Sequence, residues 1–372
     1  MIIPAPASAR ILRLEHLQVR SFRNLAELDL ELDPRFNVFE GDNGQGKSNL
    51  LEAIGLVAWQ RSFRGARLDE MIRSGGDRAT IDARIRVAEE PAHEVSIQLR
   101  PGVRSLRLDE KRVPGPEAYF GIVQMVLFHP GELELVQGGP SARRTLLDRV
   151  LYQTEPGYPT AFRDHQRALK SRNRLLQDEA SAASIRSFDR PLAETAVRVV
   201  AARGRLLHQM APFVAAAFAE IAGGSSTAAI AYRPQCEASS ADEVLEALAR
   251  SFERDRARGA TCVGPQGDDV EIRIDDHPAR SYGSQGQQRA LVLAVKCAEL
   301  AVVQARAGQL PVLLIDDVSS ELDETRRRHL YRTIGGGGGQ VVMTTTDARF
   351  VPLETLGTGG TVTRVSQGKL SR

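Results

Sequence analysis

A glycine-rich octapeptide, Gly41-Asp42-Asn43-Gly44-Gln45-Gly46-Lys47-Ser48, has the residue types and spacing of a loop that wraps a chain of phosphates. Its glycines let backbone N–H groups turn inward, Lys47 is long enough to reach the β and γ phosphates, and the Ser48 hydroxyl is suited to ligating Mg²⁺. Asp42 and Asn43 shape the turn. Far downstream, Val312-Leu313-Leu314-Ile315 reads as a buried parallel strand, and it ends in Asp316 and Asp317. Such a strand delivers carboxylates to the sheet edge where a phosphate loop sits. Asp316 would then hold Mg²⁺ through its water shell, and Asp317 would polarise an attacking water as general base, with Lys47 on the phosphates. Either motif alone has an ordinary reading, as a glycine-rich turn or as two acids closing a strand. Together they specify a site for ATP with Mg²⁺.

The elements around these residues fit that chemistry. Phe36–Glu40 reads as a strand feeding the loop, and residues 49–59 carry Leu50, Leu51, Ile54 and Val57 at helical spacing. Thr80–Ile85 and Val95–Leu99 alternate as strands, so the first third is strand-rich. After Pro140 the pattern turns helical, over 161–177, 191–221 and 241–256. Strand character returns at 270–274, followed by a helix over 287–305 and strands at 311–315 and 340–343. The glycine run Gly335–Gly339 reads as a flexible connection. The expected organisation is an α/β P-loop ATPase head made of residues 1–138 and 259–372, with an inserted helical lobe at 139–258.

Composition excludes several classes. The 372 residues are 42% hydrophobic and 26% charged, with a net charge of +2, so any affinity for nucleic acid must come from a local patch. Cys236, Cys262 and Cys297 stand far apart without metal-ligand spacing, which fits a reducing cytoplasm. The first ten residues carry no signal-peptide core, and residues 291–305 are too short and too polar to cross a bilayer, so no membrane association is expected.

Ser281-Tyr282-Gly283-Ser284-Gln285-Gly286-Gln287-Gln288-Arg289 resembles the signature motif of ABC-type ATPases. A helix N-terminus with a hydroxyl and free N–H groups suits a γ-phosphate, although Ser284 could also be a plain N-cap. In ABC ATPases that phosphate belongs to the other subunit, which the resemblance extends to Ser284, Gly286 and Gln287. Ser320-Glu321-Leu322-Asp323 resembles the D-loop, and Thr346 occupies the place of the switch histidine of transporters. About 237 residues separate Lys47 from Ser284, which leaves room for a compact lobe and a short arm but not a long coiled coil.

The whole chain is similar to the RecF family of bacterial recombination and gap-repair ATPases. The similarity rests on Arg20-Ser21-Phe22-Arg23-Asn24-Leu25, Ser62-Phe63-Arg64, Gly139-Pro140 with Arg143-Arg144 and Leu147-Asp148, Lys170-Ser171-Arg172-Asn173-Arg174, and the signature with Asp316-Asp317. Two stretches depart from it. His129-Pro130-Gly131-Glu132-Leu133 stands where Pro-Glu-Asp-Leu is usual, and Gly264-Pro265-Gln266-Gly267-Asp268-Asp269 stands where Gly-Pro-His-Arg-Asp-Asp is usual. The resemblance implies an ABC/SMC-type head, ATP-dependent homodimerisation, slow hydrolysis, binding to DNA at single-strand/double-strand junctions or duplex, and RecR and RecO-type mediators as partners. A transporter ATPase subunit would have a shorter loop-to-signature spacing and a histidine at 346. An SMC-like defence ATPase would carry an added nuclease domain or longer arms.

Arg163, Arg167, Lys170 and Arg174 fall in one sector of a helix, and are read here as a DNA-binding stripe, the alternatives being a solvated face or a groove across the dimer. Arg23 and Arg64 either contact ATP or form structural salt bridges.

Overall fold

The computed structural model describes residues 10–113, 115, 119, 121–224, 226–317, 324–336, 338–351 and 360–371. The chain begins with β1 (Arg10–Phe22), β2 (Leu25–Glu31) and β3 (Phe36–Glu40), then α1 (Lys47–Trp59) and α2 (Leu68–Met71). Strands β4 (Ala79–Val87), β5 (His93–Arg100), β6 (Val103–Leu108), β7 (Lys111–Arg112) and β8 (Met125–Phe128) follow. Helices α3 (Glu134–Gln137), α4 (Pro140–Thr154), α5 (Tyr158–Gln177), α6 (Ala182–Arg186) and α7 (Asp189–Ile221) lead to β9 (Ala228–Arg233) and α8 (Ala241–Arg258). Then come β10 (Asp269–Ile274), β11 (His277–Pro278), α9 (Ala279–Tyr282), α10 (Gln285–Ala307), β12 (Gln309–Leu310) and β13 (Val312–Asp316). The last elements are α11 (Glu324–Gly336), β14 (Val341–Thr345), β15 (Thr361–Ser366) and β16 (Lys369–Ser371).

Two sheets enclose α1. One runs β16-β15-β3-β14-β13-β8, and from β15 to β8 its neighbours are all parallel. Covered on both faces, its central strands β13 and β14 are buried along their whole length rather than alternately. Val312, Leu314 and Val342 face α1, together with Leu50, Leu51, Ile54 and Val57 of that helix. The other sheet, ordered β12-β1-β4-β5-β6-β7 with β2 also on β1, closes this layer from the far side. Full burial of each α1 leucine or valine is worth roughly 1.5–3 kcal/mol, which fixes the helix that starts at the phosphate loop.

On the opposite face, Leu313, Ile315, Val341 and Met343 pack into a core shared with α4, α7 and α10. Helix α7, about 50 Å long at 1.5 Å per residue, joins two parts of the molecule. Its first turns (Leu192, Ala193, Ala196) meet α5 and α8, while Val199 to Ile221 belong to the head core. The start of α7 thus packs with α5 and α8 as a compact cluster rather than extending as a coiled coil.

Two departures from the sequence reading stand out. A strand, β9, lies inside the stretch read as helical and pairs antiparallel with β10 across 36 to 46 positions of chain, from Arg233↔Asp269 to Ala228↔Ile274. The glycine run is not wholly a connection, because α11 extends through Gly335 to Gly336.

Candidate functional site

The phosphate loop leaves β3 and enters α1 through glycines whose backbone no other residue adopts cheaply: φ is 79° at Gly44 and 110° at Gly46, the N-cap of α1. A Cβ on Gly46 would also meet the Asn24 amide at 2.7 Å. The loop is held from both sides. Asn24, in the β1–β2 turn, donates to the Gln45 carbonyl (3.2 Å), and on the other flank the Gln367 and Gly368 N–H groups of the β15–β16 turn donate to the Gln45 side chain (2.7 Å) and carbonyl (2.8 Å). Asp42 and Asn43 are exposed at its tip, while Gly41 at the base receives support from Thr345, whose carbonyl accepts its N–H at 3.2 Å. The buried Lys47 ammonium lies within the loop and donates to the carbonyls of Gly41 and, at 2.9 Å, Asp42.

Residues 268 positions apart meet here. The Ser48 hydroxyl donates to Asp316 Oδ1 at 2.9 Å, and the Thr344 hydroxyl on β14 donates to the same oxygen at 2.8 Å. Asp316 is therefore fixed as an oriented acceptor beside a hydroxyl, a hard-oxygen pair of the kind Mg²⁺ takes. At Asp317 the backbone turns into the left-handed region (φ 43°), which ends the ladder between the two acids, and its N–H donates to the Thr344 carbonyl and hydroxyl at 3.2 and 3.1 Å. Thr346 is exposed one residue past β14. Among the described residues no group of three or more His, Cys, Asp or Glu side chains is gathered as a metal cluster would be.

Arg23 makes a salt bridge in this structure. Its guanidinium grips the fully buried Glu52 of α1 with two bonds of 2.9 Å, and its third nitrogen donates to the Glu70 carbonyl at 2.8 Å. Arg64 is half exposed, donating to Asn49 at 3.0 Å beside Ser48 and standing 3.8 Å from Glu52.

Ser284 caps α10 in a reciprocal box: its hydroxyl accepts the Gln287 N–H at 3.2 Å and its own N–H donates to Gln287 Oε1 at 2.9 Å. The side chain of Gln287 also donates to Ser226 at 3.3 Å, and a Cβ on Gly286 would meet the Arg326 guanidinium at 3.1 Å. Ser284 is exposed, as is Tyr282, which keeps 70% of its surface. Asp323 lies outside the described residues.

The basic stripe of α5 divides. Arg167, Lys170 and Arg174 are exposed and Arg163 is partly so, but Arg174 pairs with Asp178 at 2.9 Å and Arg163 with Asp164 at 3.0 Å. Arg172, one residue from Ser171 in the same motif, points the other way. It is fully buried, donating to Asp189 at 2.7 Å, Asp255 at 2.8 Å and Thr261 at 2.8 Å.

Sequence reasoning missed a buried ionic network joining the lobe to the head. Arg203 of α7 holds Asp148 of α4 (2.8 and 3.0 Å) and Asp268 before β10 (3.0 Å), Arg143 holds Asp269 at 2.7 Å, and Arg144 donates to the Asp268 carbonyl at 2.7 Å. The departures from the family pattern fall beside such networks. Glu132 is buried against Lys296 (2.9 Å) and Arg149 (3.2 Å); burial alone would raise its carboxyl, but Lys296, His129 and Arg149 outweigh that and hold it below the usual value. A Cβ on Gly131 would meet the His129 ring at 2.8 Å, so the glycine leaves the room that the histidine ring occupies. Gln266 anchors its loop by donating to the Thr261 and Val263 carbonyls at 3.2 and 3.0 Å.

Comparison with known proteins agrees with the fold. The model for the RecF/RecN/SMC N-terminal domain matches residues 13–355. A protein of Anaeromyxobacter sp. (strain Fw109-5) named DNA replication and repair protein RecF is 41% identical over 350 residues, covering 91% of this chain and 94% of the relative. Its namesake from Myxococcus xanthus (strain DK1622) is 39% identical over 351 residues, covering 91% and 92%. Among solved structures, the recombination mediator protein RecF with ATP in the RecFOR pathway superposes with a TM-score of 0.87 at 27% identity, covering 97% of this chain and 99% of that one. The Smc head domain of Pyrococcus furiosus shares the fold, with a TM-score of 0.53 at 16% identity over 96% and 94%.

Proposed function

Since the chain belongs to the RecF family of DNA replication and repair proteins, within the RecF/RecN/SMC ATPases, we propose that it is a Mg²⁺-dependent ATPase whose nucleotide closes two copies of the chain on DNA. That membership sets aside the transporter-subunit and defence-ATPase alternatives. The observation that carries the reading is the union of Ser48 with Asp316, 2.9 Å apart, at the edge of a parallel sheet and directly after a phosphate loop.

ATP lies along the loop from Gly41 to Ser48, its phosphates neutralised by Lys47 and by loop N–H groups. Mg²⁺, which would be held through Ser48 and Asp316, supplies further charge neutralisation on the β and γ phosphates. Asp317 takes the proton of the attacking water, and Thr346 and Asp323 flank the γ-phosphate. Arg64, with its side chain half free, is the better of the two arginines for the nucleotide; Arg23 acts through Glu52 on the start of α1.

The signature serves the twin copy. Helix α10 is about 34 Å long and β13 about 17 Å, and the two are joined at their near ends by a four-residue connection, so Ser284 stands well beyond the sheet edge that holds Lys47. An exposed, pre-formed helix cap with Gly286 and Gln287 is then available to a γ-phosphate bound by another molecule. Residues 1–138 and 259–372 form most of the head, and 139–258 carry the arm lobe together with α4 and the later part of α7, which pack into the head core. Hydrolysis is slow and DNA-stimulated, and it resets the closed dimer. RecR and RecO-type mediators act downstream to help load recombinase. The site of action is cytoplasmic; no helix among the described residues is long and apolar enough to cross a membrane.

Sedimentation velocity with and without ATP and Mg²⁺ tests this reading. A shift from monomer to dimer with ATP, lost in Ser284→Arg while nucleotide binding persists, is the expected result; an unchanged monomer in ATP would refute the shared site.

A further inference from the structure

A cleft of about 440 Å³ separates the β6–β7 hairpin from α5, with the end of α1 as its floor. Six cations line it: Arg61 after α1, Arg104 and Arg112 on the hairpin, and Arg163, Arg167 and Lys170 on α5. No Asp or Glu is among the described residues of the lining. Asp164 tempers Arg163 at 3.0 Å and, weakly, Arg167 at 3.9 Å, but no carboxylate among the described residues pairs with Arg61, Arg104, Arg112 or Lys170. Crowding in the cleft and the charge of Arg61 push the Arg104 guanidinium below its ordinary pKa, although the residue keeps contact with solvent. Like charges gathered with little counter-charge among the described residues raise the local potential and select a polyanion.

Shape narrows the class. The volume is that of a small-ligand site, the size of one or two nucleotides rather than of a long groove. The walls also carry aromatic rings. Arg61 is held over Tyr152 with its guanidinium carbon 5.8 Å from the ring centroid, and Phe162 packs edge-on to Tyr152 at 5.8 Å. Phosphate-binding cations interleaved with a stacking platform are what an unpaired strand requires, since each of its bases offers a π-face.

We propose that this cleft binds one or two nucleotides of unpaired DNA strand, with phosphates on Arg104, Arg112 and Lys170 and a base stacked against Arg61 and Tyr152. The proposal rests on the reading of the chain as a DNA-binding ATPase and adds which form of DNA enters where. It also gives the arm stripe a definite role: Arg163, Arg167 and Lys170 form one wall of a strand site, and Arg174, which does not line the cleft, stands outside it. Because α1 begins at Lys47 and ends at the cleft floor, a strand seated there touches the far end of the helix that starts at the nucleotide.

The test uses the full chain with ATP and Mg²⁺, and follows anisotropy of a labelled single strand of about 15 nucleotides and of a blunt duplex of the same length. Arg104→Ala with Arg112→Ala is expected to weaken single-strand binding by roughly tenfold or more and to reduce its log–log salt slope by about 1.4, two contacts at about 0.7 each, with duplex binding unchanged. ATP binding, remote from both positions, reports that the variant is folded; if the hairpin pair does not fold, Lys170→Gln on the exposed face of α5 is read in the same way with half the slope change. Unaltered single-strand affinity in a folded variant overturns the proposal and leaves the DNA-binding ATPase intact. Equal losses on single strand and duplex also overturn it, by placing the cleft on a duplex path. A parent protein that binds neither DNA overturns the broader reading and this one together.

Discussion

At the scale of single residues, the two acids at the end of β13 are adjacent in sequence but differ in surroundings. Asp316 receives hydroxyl hydrogen bonds from Ser48 and Thr344, so its carboxylate is held in one orientation beside the loop; Asp317 sits past the ladder in a left-handed turn. Asp317→Asn is therefore expected to retain ATP binding while turnover falls by about 10²–10⁴, measured by phosphate release beside equilibrium nucleotide binding. Loss of binding with the same substitution would assign Asp317 to the metal instead. A second residue-scale expectation concerns acid. His165 lies buried between α5 and α7 near Thr195, and burial lowers its pKa from 6.5 to about 4. The unfolded chain binds the proton first, so stability falls as pH drops from about 6.5 to about 4, by up to about 3 kcal/mol. Replacing His165 with Gln should flatten that part of the dependence of the thermal midpoint on pH; an unchanged slope would show that other groups carry it.

At the scale of elements, the arm lobe is held by buried charge as well as by apolar packing. Arg172 of α5 is enclosed by Asp189 at the start of α7 and by the fully buried Asp255 of α8, so it ties three helices together. Arg172→Ala leaves two carboxylates without their cation and is expected to cost about 3–5 kcal/mol, read as a shift in the denaturation midpoint, with Arg172→Lys recovering little because an ammonium lacks the guanidinium fork. These elements differ in how legible they were. Helices α5, α7, α8 and α10 were apparent from the apolar period, and the structure extends each by only a few residues at its ends. The phosphate loop and β13 were legible because local chemistry dictates their composition. Strand β9 was not: its six residues include three alanines, and what makes them a strand is pairing with β10 some 40 residues on, a tertiary fact. The same limit hid the inward turn of Arg172, because a helical stripe shows which residues share a face and not which partner meets it. Arg23 was ambiguous for the same reason, its Glu52 lying on another element.

At the scale of the whole molecule, the two halves of the proposed pocket are carried by one packed frame, with Ser284 projecting past the sheet edge that holds the phosphate loop. The phosphate loop and acids occupy the edge of the parallel sheet, and α10, packed against that sheet through Leu291, Ala294 and Ala298, carries Ser284 beyond it. A frame so tightly packed does not fold Ser284 back onto its own loop without breaking the core. Closure by a second copy related by a two-fold axis satisfies both halves at once, because an isologous interface pairs each loop with the partner's signature. This has a consequence that a self-contained site lacks. Lys47→Ala should be inactive for want of nucleotide, and Ser284→Arg inactive for want of a partner, each alone. Mixed in equal amounts, they form heterodimers in which the intact loop of one copy faces the intact serine of the other, so activity should return to between about a quarter and about a half of the parent value per chain, the range set by how fully heterodimers outcompete homodimers. Steady-state ATPase assays on the mixture measure it directly, and a mixture no more active than its components would mean that each chain encloses its own triphosphate.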